Sequence, residues 1–148
     1  LKDIPNSGMA TTLDIGDSTC IHPSQKQMVG ERLAYLALVK TYNKTGGCSA
    51  PLYSTVQVKE NKLILIFDDA EGGLCPINKN LDYFEIAGDD KVFHPAKARV
   101  DGRTGELIVW NDNIKNPVAA RYAYKNYTGA SLYSAYGIPV SSFRTDNW

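Results

Sequence analysis

The clearest candidate for chemistry in this 148-residue sequence is a histidine in a polar loop, His22, with two carboxylates, Asp14 and Asp17, just upstream. A loop imidazole can take a proton from a nucleophile as general base and return it as general acid. A nearby carboxylate fixes the imidazole tautomer and stabilises the imidazolium. On these residues alone, a hydrogen-bonded histidine before a helix is the favoured interpretation. His22 is the candidate catalytic base, and Asp17 is the candidate orienting acid.

Two other motifs share letters with catalytic elements but lack their context. His94 precedes Pro95 as His22 precedes Pro23, yet neither a carboxylate-bearing loop nor a helix accompanies it, so we expect a strand residue. Gly16-Asp17-Ser18 spells a nucleophile motif of serine esterases. It lies in a loop rather than at the end of a strand, and we interpret the match as coincidence.

The sequence predicts no metal site and no cofactor. The sequence has three cysteines at irregular spacing, Cys20, Cys48 and Cys75. It has no CxxC pair of the kind that indicates a zinc or redox site. Asp68-Asp69 with Glu71 lacks the EF-hand spacing of a calcium loop. We expect thiols that are free or buried, and a solvated acidic turn.

The loop of His22 is predicted to connect a short buried strand, residues 8–15, to a long helix. Catalytic loops gather at the carboxyl ends of strands in open α/β sheets. Ser24 and Gln27 have the spacing of a capping box, and Gly46-Gly47 is a natural stop for the helix. The apolar face is wider than a solitary surface helix needs, so we expect it to pack on a large partner surface. Its apolar residues are Met28, Val29, Leu33, Ala34, Leu36, Ala37, Leu38 and Val39.

After Pro51 the pattern is that of short strands separated by turns, which is typical of a β-sandwich. The predicted strands are residues 55–58, 63–67, 84–87, 92–93, 96–100, 106–110 and 118–124. The fold class is therefore mainly β, with an accessory β-sandwich preceded by a strand-loop-helix unit. Trp110 and the pair Tyr122 and Tyr124 could stack on a sugar ring. Alternating aromatic residues in a strand are more typical of a sandwich core.

Composition excludes several classes of partner. The 16 Lys and Arg residues balance the 16 Asp and Glu residues, so the formal net charge is zero. Nucleic-acid-binding domains usually carry a basic excess or stripe, and none is apparent along the sequence. A neutral balance also argues against an electrostatic membrane anchor. The longest apolar run, residues 63–67, is too short to cross a bilayer.

Blocks of recognisable motif run along nearly the whole chain. The first extends from Ile4 to Ala34 and contains an Asp-Ile-Gly-Asp, Ile-His-Pro, Lys-Gln pattern followed by a long predicted helix. Further blocks lie in the β part at 72–74, 84–88, 95–98, 116–118, 121–124 and 143–148. Together these blocks resemble the sialate O-acetylesterase family of SGNH-type serine esterases.

The resemblance implies a serine esterase that removes O-acetyl groups from sialic acids or related acetylated sugars. His22 matches the catalytic histidine of the family. The resemblance also implies that residues 1–46, with the histidine loop and the last helix, are the C-terminal end of an α/β SGNH esterase domain, and that residues 50–148 form an accessory β-sandwich. The chain begins with Leu1, and we expect it to be part of a longer precursor, in the periplasm or secreted rather than in the cytoplasm.

The chain departs from the family pattern at two functional positions. SGNH esterases place their serine nucleophile far upstream of the histidine, so we expect this chain by itself to be inactive without the missing N-terminal catalytic segment. Relatives place an acid three or two residues before the histidine, where this sequence has Thr19 and Cys20. Asp17, Asp14 or a backbone carbonyl could orient His22 instead.

Two other possibilities concern a second copy of the chain and an alternative function. The exposed helix could pack on the sandwich or on a second copy, giving a homodimer. The alternative function is a non-catalytic β-sandwich that binds carbohydrate or another protein.

Overall fold

The short strands after Pro51 form three antiparallel sheets in the computed structural model, which describes residues 4–5, 7–44 and 49–148. The elements are α1 Lys26–Lys40, β1 Leu52–Lys59, β2 Lys62–Asp68, β3 Leu74–Cys75, β4 Phe84–Ala87, β5 Phe93–Pro95, β6 Lys97–Val100, β7 Leu107–Trp110, β8 Ala119–Tyr122, β9 Tyr133–Ser134 and β10 Phe143–Arg144. The predicted mainly-β class is confirmed.

Two four-stranded sheets make up most of the molecule. The first has the order β1-β2-β7-β6 and the second the order β10-β8-β4-β5, while β3 and β9 pair with each other. The hairpin of β1 and β2 turns at Glu60 and Asn61, as the sequence predicts, and pairs Lys59 with Lys62. Glu60 has a φ of 55°, the left-handed conformation that such tight turns require.

The two larger sheets share one hydrophobic core. Alternate side chains of β2, β6 and β7 point toward alternate side chains of β4, β8 and β10. Those of the first sheet are Leu63, Leu65, Ala98, Val100, Leu107 and Val109, and those of the second are Phe84, Ile86, Ala120, Tyr122 and Phe143. This arrangement agrees with the predicted sandwich.

Tyr122 is the largest fully buried side chain of this core. Its ring packs at 4.7 Å, centroid to centroid, from that of Phe84. Its hydroxyl oxygen accepts the backbone N–H groups of Ser131 at 2.9 Å and Leu132 at 3.0 Å. Since buried N–H groups need partners, this hydroxyl holds the segment before β9 on the core. The prediction that Tyr122 belongs to the core rather than to a sugar platform is confirmed.

Helix α1 begins and ends differently from the prediction. The capping box is wrong, because the Gln27 side chain donates to Glu31 at 2.8 Å and the Ser24 carbonyl accepts the Lys26 N–H at 3.0 Å. The helix ends at Lys40, before Asn43, whose φ of 50° is left-handed. The predicted stop, residues 46–47, lies outside the described residues.

Much of the predicted apolar face of α1 is exposed to solvent. Leu33 is 53% exposed and Leu38 is 38% exposed, and Tyr42 just beyond the helix is 66% exposed. A homodimer through this surface stays a prediction, as do the domain boundary near residues 46–50 and the periplasmic or secreted location. Within the described part of the chain, no helix is long and apolar enough to cross a membrane.

The strand predicted over residues 8–15 is wrong. Residues 7–12 are irregular and residues 13–15 form a turn, in which the Ile15 N–H donates to the Thr12 carbonyl at 3.2 Å. A strand requires a neighbour for its backbone groups, and no strand of the described chain pairs with this segment. Ile15 is nevertheless buried, and Leu13 packs against the sandwich core.

We predict that Tyr122→Phe destabilises the protein by about 1–3 kcal/mol, because it leaves two buried N–H groups without their acceptor. Urea unfolding measures this free energy. Tyr124→Phe is the matched control, since Tyr124 is exposed, and should change stability by less than about 0.5 kcal/mol. Equal effects of the two substitutions would contradict the assignment.

The ion pair of Asp146 predicts a loss of stability in acid. The Asp146 side chain is fully buried, and Arg121 donates to its two oxygens at 2.8 and 2.9 Å. The hydrogen bonds from Arg121 lower the pKa of Asp146 below its ordinary 3.8. A lowered folded-state pKa means that this contribution is complete above pH 3.8 and is lost as the pH falls below it.

Asp146→Asn should therefore reduce the difference in unfolding free energy between pH 7 and pH 3. Asp112→Asn is the control, because Asp112 is 65% exposed in its pair with Lys97, and exposed pairs contribute little. An unchanged pH dependence in Asp146→Asn would show that other carboxylates cause the acid sensitivity.

Candidate functional site

His22 lies on an exposed loop that leads into α1. Its backbone N–H donates to the Cys20 Sγ at 3.4 Å, and the Cys20 thiol donates to the His22 carbonyl at 3.6 Å. Helix α1 begins four residues later, at Lys26. The backbone around the histidine is thus held locally, while its imidazole is open to a group that approaches from outside the described chain.

Asp17 is held within the same loop, by Thr19. Its Oδ1 accepts the Thr19 backbone N–H at 2.7 Å and the Thr19 hydroxyl at 2.8 Å. The backbone hydrogen bond, followed by that of the hydroxyl, lowers the pKa of the Asp17 carboxyl. The carboxylate is therefore ionised at neutral pH, but its hydrogen bonds close a local turn instead of orienting the His22 ring. Its role as orienting acid stays a prediction.

Asp14 forms a buried ion pair with Arg32 of α1. The guanidinium donates to Asp14 Oδ1 at 2.7 Å and to Oδ2 at 2.6 Å, the two-pronged geometry that suits a carboxylate. The Arg32 side chain is 6% exposed and the Asp14 side chain is 14% exposed. Asp14 is therefore occupied by Arg32, and it is not free to serve as the acid of His22 in this conformation.

Arg32 also fixes the backbone that precedes the loop. Its Nη1 donates to the Thr11 carbonyl at 2.6 Å, and Arg32 is the buried residue of α1. Tyr133 of β9 lies close enough for the negative charge of Asp14 to raise its pKa, after the larger effect of burial. One guanidinium thus ties helix α1 to the segment 11–14.

The histidine loop is consequently anchored at both of its ends. Asp14 precedes it and Arg32 follows it, and the bidentate pair joins the two. The 17 residues between them include the whole loop and the first turn of α1. Sequence reasoning missed Arg32. The available signal was a cation in the middle of an apolar helix, which must find a buried partner if that face packs.

The remaining candidates lie apart from this loop or lack the context that their motifs need. His94 is a residue of β5, as predicted, and pairs with Ile86. Ser18 is exposed in a bend without a preceding strand, unlike a strand-end nucleophile. Cys20 and Cys75 are free and exposed, and Cys48 lies outside the described residues. Within the described ranges, no group of three His, Cys, Asp or Glu residues is placed to hold a metal ion.

A cleft of about 300 Å³ lies between α1 and the first sheet, away from the histidine. Its walls combine apolar side chains of α1 and β1 with the charged groups of Lys40, Asp68 and Asp69. His22 is not among its lining residues. The exposed histidine and this cleft are therefore separate features of the described chain.

We predict that Arg32→Met weakens the docking of α1 by about 3 kcal/mol, because it leaves the Asp14 carboxylate buried without its partner. Hydrogen exchange of the α1 amides measures this local opening. Asp14→Asn should act in the same direction, and Arg103→Met, in an exposed turn, should have no effect. Unchanged exchange in both Arg32→Met and Asp14→Asn would contradict the anchoring role.

Comparison with known proteins shows a similarity to a solved structure. No protein-family model matches the chain, and no curated protein matches it. Among solved structures, a carbohydrate acetylesterase from Xanthomonas citri superposes with a TM-score of 0.82 at 40% identity, over 91% of this chain and 31% of that one. The chain therefore spans about a third of the length of that protein. It is related in sequence and structure to a carbohydrate acetylesterase.

Proposed function

We propose that this chain is part of a serine esterase that removes O-acetyl groups from carbohydrates, and that it contributes the catalytic histidine, His22. The match to the solved carbohydrate acetylesterase carries the proposal. The exposed imidazole on an anchored loop supports it, since a general base must be accessible and positioned. The finer proposal, that the acetylated sugar is a sialic acid, is supported by the motif resemblance around His22.

His22 acts twice in this reaction. It takes the proton of a serine hydroxyl while the serine oxygen attacks the acetyl carbonyl, which gives a tetrahedral intermediate. The imidazolium then protonates the departing sugar oxygen, and the acetyl-enzyme remains. Water repeats the sequence: His22 takes a proton from it, acetate leaves, and the serine regains its proton.

The serine nucleophile belongs, in this proposal, to the part of the longer enzyme that this chain does not match. Ser18 is the serine of the Gly-Asp-Ser letters, but it lies in the same loop as the base and follows no strand. An oxyanion hole must also come from elsewhere, because it requires donors aimed at the position of the developing charge. The isolated chain should accordingly not hydrolyse 4-nitrophenyl acetate.

Activity should depend on His22 when the chain is placed in a complete enzyme. The design replaces the matched third of the Xanthomonas citri acetylesterase with this chain and measures the release of acetate from acetylated sugars. His22→Ala should lower kcat/KM by roughly 10²–10⁴-fold, the usual contribution of general acid–base catalysis. Asp17→Asn tests whether that carboxylate assists.

His94→Ala is the matched control, since it removes the other histidine–proline pair from a distant strand. It should leave kcat/KM unchanged. The proposal fails if the hybrid enzyme retains activity in His22→Ala, or if the isolated chain hydrolyses 4-nitrophenyl acetate and loses that activity in His22→Ala. The proposal that the sugar is a sialic acid is tested by comparing kcat/KM of the hybrid enzyme for acetylated sialic acid with kcat/KM for other acetylated sugars.

A second candidate function, a carbohydrate-binding module without chemistry, is favoured by one observation. Trp110 lies half-buried on the outer face of the first sheet and not in the sandwich core. This function and the esterase are compatible, because an accessory domain can hold the polymer that a catalytic domain deacetylates.

A further inference from the structure

Three strands bring basic side chains into one row with Trp110. The strands β1, β2, β7 and β6 are aligned so that Lys59 lies opposite Lys62, Lys62 opposite Trp110, and Trp110 opposite Lys97. Directly opposed residues of antiparallel strands point to the same side of a sheet. Three lysines and one tryptophan therefore lie abreast over roughly 14 Å, given a strand spacing of about 4.8 Å.

A second row lies beside the first on the same side. Ile108 is two residues before Trp110 and pairs with Arg99, and residues two apart in a strand share a face. The intervening residues of these strands, such as Val109 and Ala98, are buried in the sandwich core. We call the outer surface formed by Lys59, Lys62, Lys97, Arg99, Ile108 and Trp110 the basic face.

The charge of this face is only partly neutralised. Lys97 donates to Asp112 at 2.6 Å, and Arg99 lies 3.6 Å from Asp101. Lys59 and Lys62 have no ion pair with a described carboxylate. The Lys62 ammonium instead lies 5.9 Å from the centre of the Trp110 ring. Two cations are thus free to meet an anionic ligand beside an aromatic surface.

The centre of the basic face is apolar. Ile108 and Trp110 are partly exposed, and the neighbouring Ile66 of β2 is 37% exposed. The indole of Trp110 lies beside Asp112 and adds to the stronger effect of Lys97 in lowering the pKa of that carboxyl. A flat, partly exposed ring is suited to stacking against the apolar C–H face of a sugar.

We propose that the basic face binds an acidic carbohydrate chain, with one sugar ring stacked on Trp110 and carboxylates next to Lys59 and Lys62. This site is separate from His22, and the proposal does not depend on catalysis. A sugar chain is favoured over a nucleic acid because two of the four cations of the face are already paired with carboxylates, whereas nucleic-acid affinity rests mainly on the neutralisation of several phosphates.

The test measures binding of the complete chain by calorimetry to three probes. These are a carboxylated oligogalacturonate, the same oligomer with its carboxylates methyl-esterified, and a single-stranded oligothymidylate with the same number of charges. We expect binding to the carboxylated oligomer that weakens with added salt and is at least about tenfold weaker for the esterified oligomer. The oligothymidylate should bind less tightly than the carboxylated oligomer.

Variants locate the site. Trp110→Ala should weaken binding about tenfold and Trp110→Phe much less, since a ring is retained. The double variant Lys59→Gln and Lys62→Gln should weaken it about fivefold without affecting the fold, because neither ammonium has an ion pair with a described carboxylate. Lys125→Gln is the matched control, since Lys125 pairs with Glu85 on the second sheet.

Three results would overturn the proposal. The first is no binding of the carboxylated oligomer by the wild-type chain. The second is equal or tighter binding of the esterified oligomer or of the oligothymidylate, which would indicate a neutral-sugar or a general polyanion surface. The third is binding that Trp110→Ala or the lysine double variant leaves unchanged.

Discussion

The buried ion pair between Asp14 and Arg32 is the constraint on which the candidate site depends. It joins the segment before the histidine loop to the helix after it, and the same guanidinium holds the Thr11 carbonyl. Residues 7–15 form no strand, and α1 leaves Leu33 and Leu38 exposed. The loop that carries His22 is therefore held by these directional interactions together with the apolar contacts of Leu13 and Ile15 just before it.

The β part could be predicted from sequence because alternation and turn residues are local signals. The hairpin at Glu60 and the strand 84–87 are both where the pattern indicates. The two-residue strands β3, β9 and β10 were missed, because such short pairings are fixed by tertiary contacts such as the Tyr122 hydroxyl. The segment 8–15 has the apolar residues of a buried strand, but it forms none, because no neighbouring strand of the described chain pairs with its backbone.

Functional surfaces were less predictable than elements, for a related reason. His22 could be singled out because its loop is contiguous, whereas Arg32 becomes significant only when the fold places it against Asp14. The basic face combines Lys59, Lys62 and Lys97 from three strands. Neither the zero net charge nor the order of residues along the chain indicates it. Trp110 and Tyr122 both lie in strands of alternating residues, so the sequence does not distinguish them. The structure does, because Trp110 lies on the outer face of its sheet and Tyr122 is fully buried in the core.

The most direct measurement for the central claim is labelling with a fluorophosphonate, which reacts with serines activated by a neighbouring base. In the hybrid acetylesterase that contains this chain, the label should attach to one serine outside the 148 residues. His22→Ala should slow the labelling strongly, and His94→Ala should leave it unchanged. Labelling of Ser18, or an unchanged rate without His22, would contradict the assignment of His22 as the base of a nucleophile supplied from elsewhere in the enzyme.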